Sequence, residues 1–345
     1  MLRMYVNRQE LFGTTDWQAT TAAMLGLPST LRKRGGSEAC QKSSLFSFFI
    51  ACARAHDSQR RWTSLIRTST TDAMNSDLLI RMSAFLGALT LMALWEVGAP
   101  RRSFSMPRGP RWFANITVVI LDAVIVRLLF AAGAVGMAMV AAERNWGILN
   151  QLSWPIWLNI LLTVIALDFV LYLQHVMFHA IPLFWRFHMM HHADLDCDVT
   201  TGVRFHPVEV VLSMVIKLGA VVLLGAAPVG VLVFEIVLNA TSMFNHSNIW
   251  MPVVVDRALR WMIVTPDMHR IHHSVLPQET NSNFGFNLPW WDRLLGTYRE
   301  DPLRSHTIMS LGLEQYRDPR GLTLRHILAL PFVGAPGRYP LARKE

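Results

Sequence analysis

Five apolar runs, set between polar and charged segments, organise the chain from residue 78 onward. Leu78 to Val97 and Ile116 to Ala142 each supply the roughly 20 helical residues needed to cross about 30 Å of hydrocarbon. Trp157 to Leu173 is shorter and lies at the lower limit for a span. Val208 to Leu224 and Val229 to Phe244 are joined by Ala226, Ala227 and Pro228, which reads as a helical hairpin dipping into the membrane. No internal repeat interrupts this pattern.

Composition agrees with a membrane class. Of 345 residues, 52% are hydrophobic and only 16% charged, too apolar for an ordinary soluble domain. The net charge of +8 is uneven: residues 1–73 hold ten Lys or Arg against five acids, leaving +3 for the rest, so no nucleic-acid partner is expected. Cys40, Cys52 and Cys197 are widely spaced and form no CxxC pair, which suggests neither a disulfide framework nor a thiolate metal site and fits a cytosol-facing interior. Arg101, Arg102, Arg108 and Arg111 follow the first run with no acid among them, whereas only Glu143 and Arg144 follow the second. The positive-inside rule therefore puts the first connection in the cytosol, and counting onward puts residues after Leu173 and after Phe244 there too.

Residues 1–73 differ from the rest of the chain, being mixed polar with one apolar stretch, Leu45 to Ala53, too short to span. A signal peptide is one reading, with Arg32, Lys33 and Arg34 ahead of the stretch and Ala51-Cys52-Ala53 as cleavage pattern, but the stretch begins far into the chain. The sharper expectation is a start at Met74, with residues 1–73 a mis-called extension or a disordered leader, which recovery of earlier residues by N-terminal sequencing would exclude.

Ten of the thirteen histidines lie between His175 and His273. They run His175-x-x-x-His179, His188-x-x-His191-His192, then His206 and His246 singly, then His269-x-x-His272-His273. Spacings of three and four put side chains on one face of a helix, so each group is a ready-made claw of imidazoles. Imidazole suits iron, zinc, copper and nickel, and so many imidazoles exceed what one tetrahedral zinc uses, so two metal ions are expected. Without metal, that many packed rings would stay neutral or repel as cations, with unpaired nitrogens costing free energy. His56, His306 and His326 stand apart and read as ordinary polar residues.

The order HxxxH, HxxHH, HxxHH, with a membrane hairpin before the last box, resembles the fatty acid hydroxylase superfamily, which includes sterol desaturases and lipid hydroxylases. The stretch Asp198-Val-Thr-Thr-Gly-Val-Arg-Phe-His206-Pro-Val-Glu209, and NSNFGFNLPWWDRLLGTY from Asn281 to Tyr298, are similar to its bacterial sterol-desaturase branch. The resemblance covers roughly Asp77 to Tyr298. It implies that His175, His179, His188, His191, His192, His269, His272 and His273 ligate metal, with His246 a further ligand. Some lipid hydroxylases of the superfamily carry another histidine where this chain has Ser242, which makes His206 a substitute ligand. The expected fold is all-α: a multi-pass membrane helical bundle with a cytosolic histidine-rich helical cap. Residues 74–174 hold the first three spans, 175–300 the catalytic region with its hairpin at 208–245, and 301–345 a cytosolic tail.

Asp168, Tyr172, His175 and His179 follow at four, three and four residues and share one stripe of the third span. Asp168 and Tyr172 are thus candidate catalytic groups, a carboxylate there orienting an imidazole or else packing against a neighbouring span. Asp292, within Trp290-Trp291-Asp292-Arg293, and Asp194, Asp196 and Asp198 are similar candidates, or else solvated acids or helix caps. Lys217 and Glu235, equally distant from Ala226, are expected to form an ion pair, and the partners of Asp122 and Arg127 stay open.

The chemistry implied is hydroxylation or desaturation of a lipid C–H bond with dioxygen at two iron ions, zinc being the lesser alternative. Electrons must come from a separate reductase, ferredoxin or cytochrome b5-like protein, since the chain shows no GxGxxG, CxxCH or ferredoxin-type pattern. Phe184, Trp185, Phe187, Phe284, Phe286, Trp290 and Trp291 either wall a lipid channel or anchor the interface. The competing class, a metal transporter or storage protein, would place its ligands near mid-membrane between broken helices.

Overall fold

A computed structural model describes residues 77–341. The leader, its apolar stretch, His56 and the expected start at Met74 lie outside the described residues.

Among the described residues all regular structure is helical, apart from two isolated bridges, Pro100 with Ile249 and Ser274 with Leu311. Helix α1 covers Asp77–Gly98. The second apolar run forms two helices, α2 (Arg108–Leu129) and α3 (Gly133–Glu143). The run breaks because Phe130 leaves the helical region and Gly133 takes a positive φ of 61°, which a residue without Cβ adopts at no steric cost. The third span, marginal by sequence, is the longest single helix among the described residues: α4 (Ile156–Ala180) extends to include both histidines of the first box. Helix α5 (Pro182–His192) carries the second box. The hairpin is α6 (Pro207–Leu224) and α7 (Pro228–His246), turned by Gly225 at φ 67°. Short helices complete the chain: α8 (Val253–Leu259), α9 (Pro266–His272), α10 (Pro277–Thr280), α11 (Trp290–Leu295) and α12 (Leu324–Val333).

Among the described residues five helical segments are long and apolar enough to cross a membrane, and the protein is an integral membrane protein. Helices α4 and α7 pack together, α3 packs on both hairpin helices, and α2 packs on α6. Helix α4 thus brings its last turns beside the end of α7, where the histidines gather. The C-terminal segment is not loose. Helix α12 packs on α5, Tyr339 stacks on Trp185 at 5.6 Å, and Trp185 Nε1 donates to the Pro336 carbonyl at 2.8 Å. These contacts belong to a buried cluster that includes Met189, Met190, Leu313, Leu322, Ile327 and Leu330, so the tail clamps the helix bearing the second box.

The expected pair forms: Lys217 Nζ lies 2.8 Å from Glu235 Oε1. A third partner, invisible in the hairpin arithmetic, is Arg81 of α1, 2.7 Å from Glu235 Oε2 and also bonded to Asp77. Lys217→Glu or Glu235→Lys should each lower the thermal unfolding temperature in detergent. The double swap should recover only part of the loss, because Arg81 then faces a lysine. Full recovery would show that Arg81 does not hold Glu235, and plain additivity that Lys217 does not.

Candidate metal centre

Nine buried histidines converge as two groups. His175, His179, His188, His192 and His272 form one, and His191, His246, His269 and His273 the other, each with its ligand atoms within 4.8 Å of one another. The helical spacing accomplishes this locally. His175 and His179 sit one turn apart on α4, while α5 sends His188 and His192 to the first group and His191, one residue away, to the second. Helix α9 divides its box the same way, with His272 in the first group and His269 and His273 in the second.

The opposite edge of most rings is tied down. His175 Nδ1 is 2.7 Å from the Phe284 carbonyl, His246 Nδ1 2.7 Å from the Ser242 carbonyl, and His272 Nδ1 2.7 Å from the Ser282 carbonyl. His191 Nδ1 lies 3.1 Å from the Arg204 carbonyl and His179 Nδ1 3.1 Å from Asn281 Oδ1. His188 Nδ1 is 2.7 Å from Glu209 Oε1. With a carbonyl or carboxylate as acceptor, Nδ1 must be the protonated nitrogen, so Nε2 presents its lone pair inward.

Those inward nitrogens test whether metal fits. His179, His192 and His272 have a buried Nε2 with no hydrogen-bond partner. His246 Nε2 stands 3.0 Å from His191 Nε2 and 3.1 Å from the Nε2 atoms of both His269 and His273. One ring nitrogen cannot satisfy three others by hydrogen bonding, whereas a cation among them satisfies all. Burial, reinforced by neighbouring imidazoles, pushes His191, His192, His269, His272 and His273 well below the ordinary imidazole range, and burial pushes His188 to about 3. Neutral rings are the form that binds metal.

His206 stands outside both groups. Its Nδ1 accepts from Val208 N at 3.1 Å, capping α6, and its Nε2 lies 3.2 Å from the Leu328 carbonyl. Pro207, next in the chain, made this capping role legible, since Pro at the first helical position is a helix-start signal. Ser242 gives its hydroxyl to the Gly202 carbonyl at 2.6 Å and its own carbonyl to His246. His326 is exposed beside Thr323, and buried His306 lies 3.9 Å from Asp267.

The three groups read as catalytic act on a loop rather than on the rings. Asp168 Oδ2 accepts from Trp291 Nε1 at 2.8 Å and Leu288 N at 3.3 Å, not from an imidazole. The shared stripe is real, but Asp168 lies seven residues before His175, about 10 Å along the helix at 1.5 Å per residue. Asp292 accepts from Phe284 N and Gly285 N, each at 2.8 Å, and from the Thr297 hydroxyl at 2.7 Å, while Tyr172 meets Thr297 at 2.8 Å. Burial raises Asp292 to about 6 against these bonds. All three fix the loop whose Phe284 carbonyl holds His175.

Asp194 and Asp198 meet a cation instead of water. Arg111 bonds both carboxylates and the Asp196 carbonyl, and Asp196 receives Ser105 N and Met106 N at 2.9 Å. Although burial alone would raise it, Arg111 and Arg204 hold Asp194 down at about 2. Glu209 and Asn281, both missed as ring partners, lie inside the motif stretches already singled out. Of the aromatics, Trp185 is core, packed on His179 and His192. Phe284 and Phe286 face His175 at 5.6 and 4.9 Å, and Phe205 stacks on His191 at 4.4 Å.

Comparison with known proteins adds an independent finding. The family model described as fatty acid hydroxylase matches residues 160–297, which contain every histidine of both groups. An ornithine lipid hydroxylase, OlsE, of Rhizobium tropici is 29% identical over 229 residues, covering 65% of this chain and 68% of the relative. An alkylglycerol monooxygenase of Xenopus tropicalis is 28% identical over 148 residues, 42% of this chain and 30% of the relative. Human cholesterol 25-hydroxylase is 27% identical over 147 residues, 41% of this chain and 51% of the relative. The chain thus spans about half or less of the length of the last two. No solved structure matches.

Proposed function

We propose that this chain, which belongs to the fatty acid hydroxylase superfamily, hydroxylates a C–H bond of a membrane lipid with dioxygen and external electrons. The observation that carries the reading is the pair of buried imidazole groups with converging Nε2 atoms inside a membrane protein. His175, His179, His188, His192 and His272 would hold one iron, and His191, His246, His269 and His273 the other. Iron is favoured over zinc because five imidazoles exceed a closed tetrahedral zinc site. When bound, the two ions supply reductive activation of dioxygen for attack on an unactivated C–H bond.

The protein's own residues do the rest. Acceptors at Nδ1 fix the tautomer and direction of six of the nine rings, and Glu209 adds a carboxylate that strengthens His188 as a donor to metal. Phe205, Phe284 and Phe286 keep water from the rings and offer an apolar surface to an alkyl chain. The ligands lie at the ends of α4 and α7 and on short helices beyond them, which favours an oxygenase over a mid-membrane transport site. The positive-inside pattern supports a cytosolic position for both groups, where a separate reductase, ferredoxin or cytochrome b5-like donor reaches them. Hydroxylation is favoured over desaturation because the relatives' names are those of hydroxylases and monooxygenases.

Turnover is expected to need both dioxygen and an electron donor. The balance is one lipid C–H, one O2, two electrons and two protons giving one alcohol and one water. Labelled dioxygen should therefore leave one labelled atom in the lipid, read by mass spectrometry after expression in a host without such enzymes. Label arriving from water, or product without oxygen, would overturn the mechanism. A product two hydrogens lighter and unlabelled would assign desaturation instead. Mössbauer spectra of anaerobically purified protein should show two coupled irons, and a single zinc would exclude them.

A further inference from the structure

We infer that the segments around Trp261 and Trp290–Leu295 form a membrane-embedded element of the cap, its outward side chains lying among the acyl chains of the leaflet nearest the histidines.

Depth is the first observation. Asp168 lies about 10 Å before His175 along α4, well inside that span. Trp291 Nε1 and Leu288 N both bond to Asp168, and the Trp291 ring lies 4.7 Å from that of Phe169. Helix α11 therefore packs beside a membrane span at bilayer depth rather than above its end. A second tie agrees. Asn287 bonds the Thr241 hydroxyl, five residues inside the end of α7, and its carbonyl accepts from Val264 N at 2.9 Å. The stretch of chain through residues 261–264 is thereby held at the same level.

Chemistry of the outward face is the second observation. Val254 is 81% exposed, Leu294 73%, Met262 64% and Trp261 62%, large apolar side chains left open by the described residues. Several of the polar groups between them bond to main-chain carbonyls or to one another, while Arg257 and Glu300, 3.9 Å apart, stand exposed at 61% and 58% of their side chains. Trp290 Nε1 donates to the Trp261 carbonyl at 2.7 Å, Arg293 donates to the Arg260 carbonyl at 3.2 Å, and Arg260 pairs with Asp256 at 2.6 Å. The Arg293 guanidinium lies over the rings of Trp261 and Tyr298, at 4.2 and 3.8 Å, an arrangement that lowers the cost of a cation near lipid.

The occupant follows from continuity. Phe169 and exposed Leu173 belong to the lipid-facing side of α4, and Trp291 extends that surface without a break onto α11. Acyl chains that cover α4 therefore also cover Leu294 and Met262. On the proposed hydroxylase reading, this draws the imidazole groups down to the tails, so that a lipid presents its C–H bond without leaving the bilayer. The insertion itself does not depend on that reading.

The test uses full-length protein in liposomes, with Cys40 and Cys52 replaced by Ala and Cys197 left buried. Nitroxide labels are placed singly through Met262→Cys, Leu294→Cys, Leu173→Cys and Arg320→Cys. Spin relaxation by oxygen, which partitions into lipid, is compared with relaxation by a water-soluble nickel chelate. Labels at 262 and 294 should follow the one at 173, oxygen-dominated, and the label at 320 should be chelate-dominated. Chelate-dominated relaxation at 262 and 294 would overturn the inference, as would protection from both reagents with dipolar broadening, which marks a second copy of the chain. Iron content and product formation, measured separately, decide the hydroxylase reading whichever way the labels fall.

Discussion

His272→Ala and His191→Ala should each abolish lipid hydroxylation and lower bound iron, while the protein still inserts in the membrane. The two residues belong to different groups, so each variant probes one group. Neither ring takes part in a span, and apolar composition of the spans carries insertion. In His272→Ala the first group falls from five imidazoles to four, and in His191→Ala the second falls from four to three. Glu209→Gln is the graded companion: it keeps an acceptor for His188 Nδ1 but removes the charge, and should weaken metal binding about 10–100-fold. His206→Ala and His326→Ala should retain iron, since neither belongs to a group. Iron per chain, read with product yield on purified protein, separates these classes. Loss of iron in His206→Ala equal to that in His272→Ala would remove the division into two groups.

Much of this centre was legible as spacing. Steps of three and four within each box are helical, and all three boxes do lie on or at the ends of helices, α4, α5 and α9. Adjacent histidines at the close of the second and third boxes point about 100° apart on a helix, which is how one box contributes to both groups. The acceptors behind the rings were largely hidden, because four of the six are main-chain carbonyls, of Phe284, Arg204, Ser242 and Ser282, which every residue possesses. Asp168 shows the converse error. A shared stripe fixes direction around a helix but not height along it, and its carboxylate met an indole from a distant segment. The five spans were visible as apolar runs, whereas the break before Gly133, a local backbone turn inside an apolar run, and the packing of α12 on α5, a tertiary contact, leave no mark in the periodicity.

Arg111 entered the sequence argument as one of four arginines on a cytosolic connection, a role that calls for solvent. It is buried instead, at the start of α2, and holds together the loop after the second box. Its guanidinium meets both oxygens of Asp194 at 2.9 and 3.0 Å and Asp198 Oδ2 at 2.8 Å. Arg111→Met keeps the volume but leaves two buried carboxylates short of a counter-charge. Removing one partner from a buried ion pair costs about 3–5 kcal/mol, because the remaining charge stays desolvated. Arg111→Lys should cost less yet remain destabilising, since an ammonium cannot make the paired contact with Asp194. The double variant Arg111→Met with Asp194→Asn should regain part of the loss by removing one stranded charge. The damage should also reach the metal centre along a definite route. The same loop carries Gly202, whose carbonyl takes the Ser242 hydroxyl, and Arg204, whose carbonyl holds His191. Thermal unfolding in detergent and iron content should therefore fall together in Arg111→Met. A variant as stable and as iron-rich as the parent would show that the loop is held by other contacts, and that the arginine's burial has no part in ordering the second group.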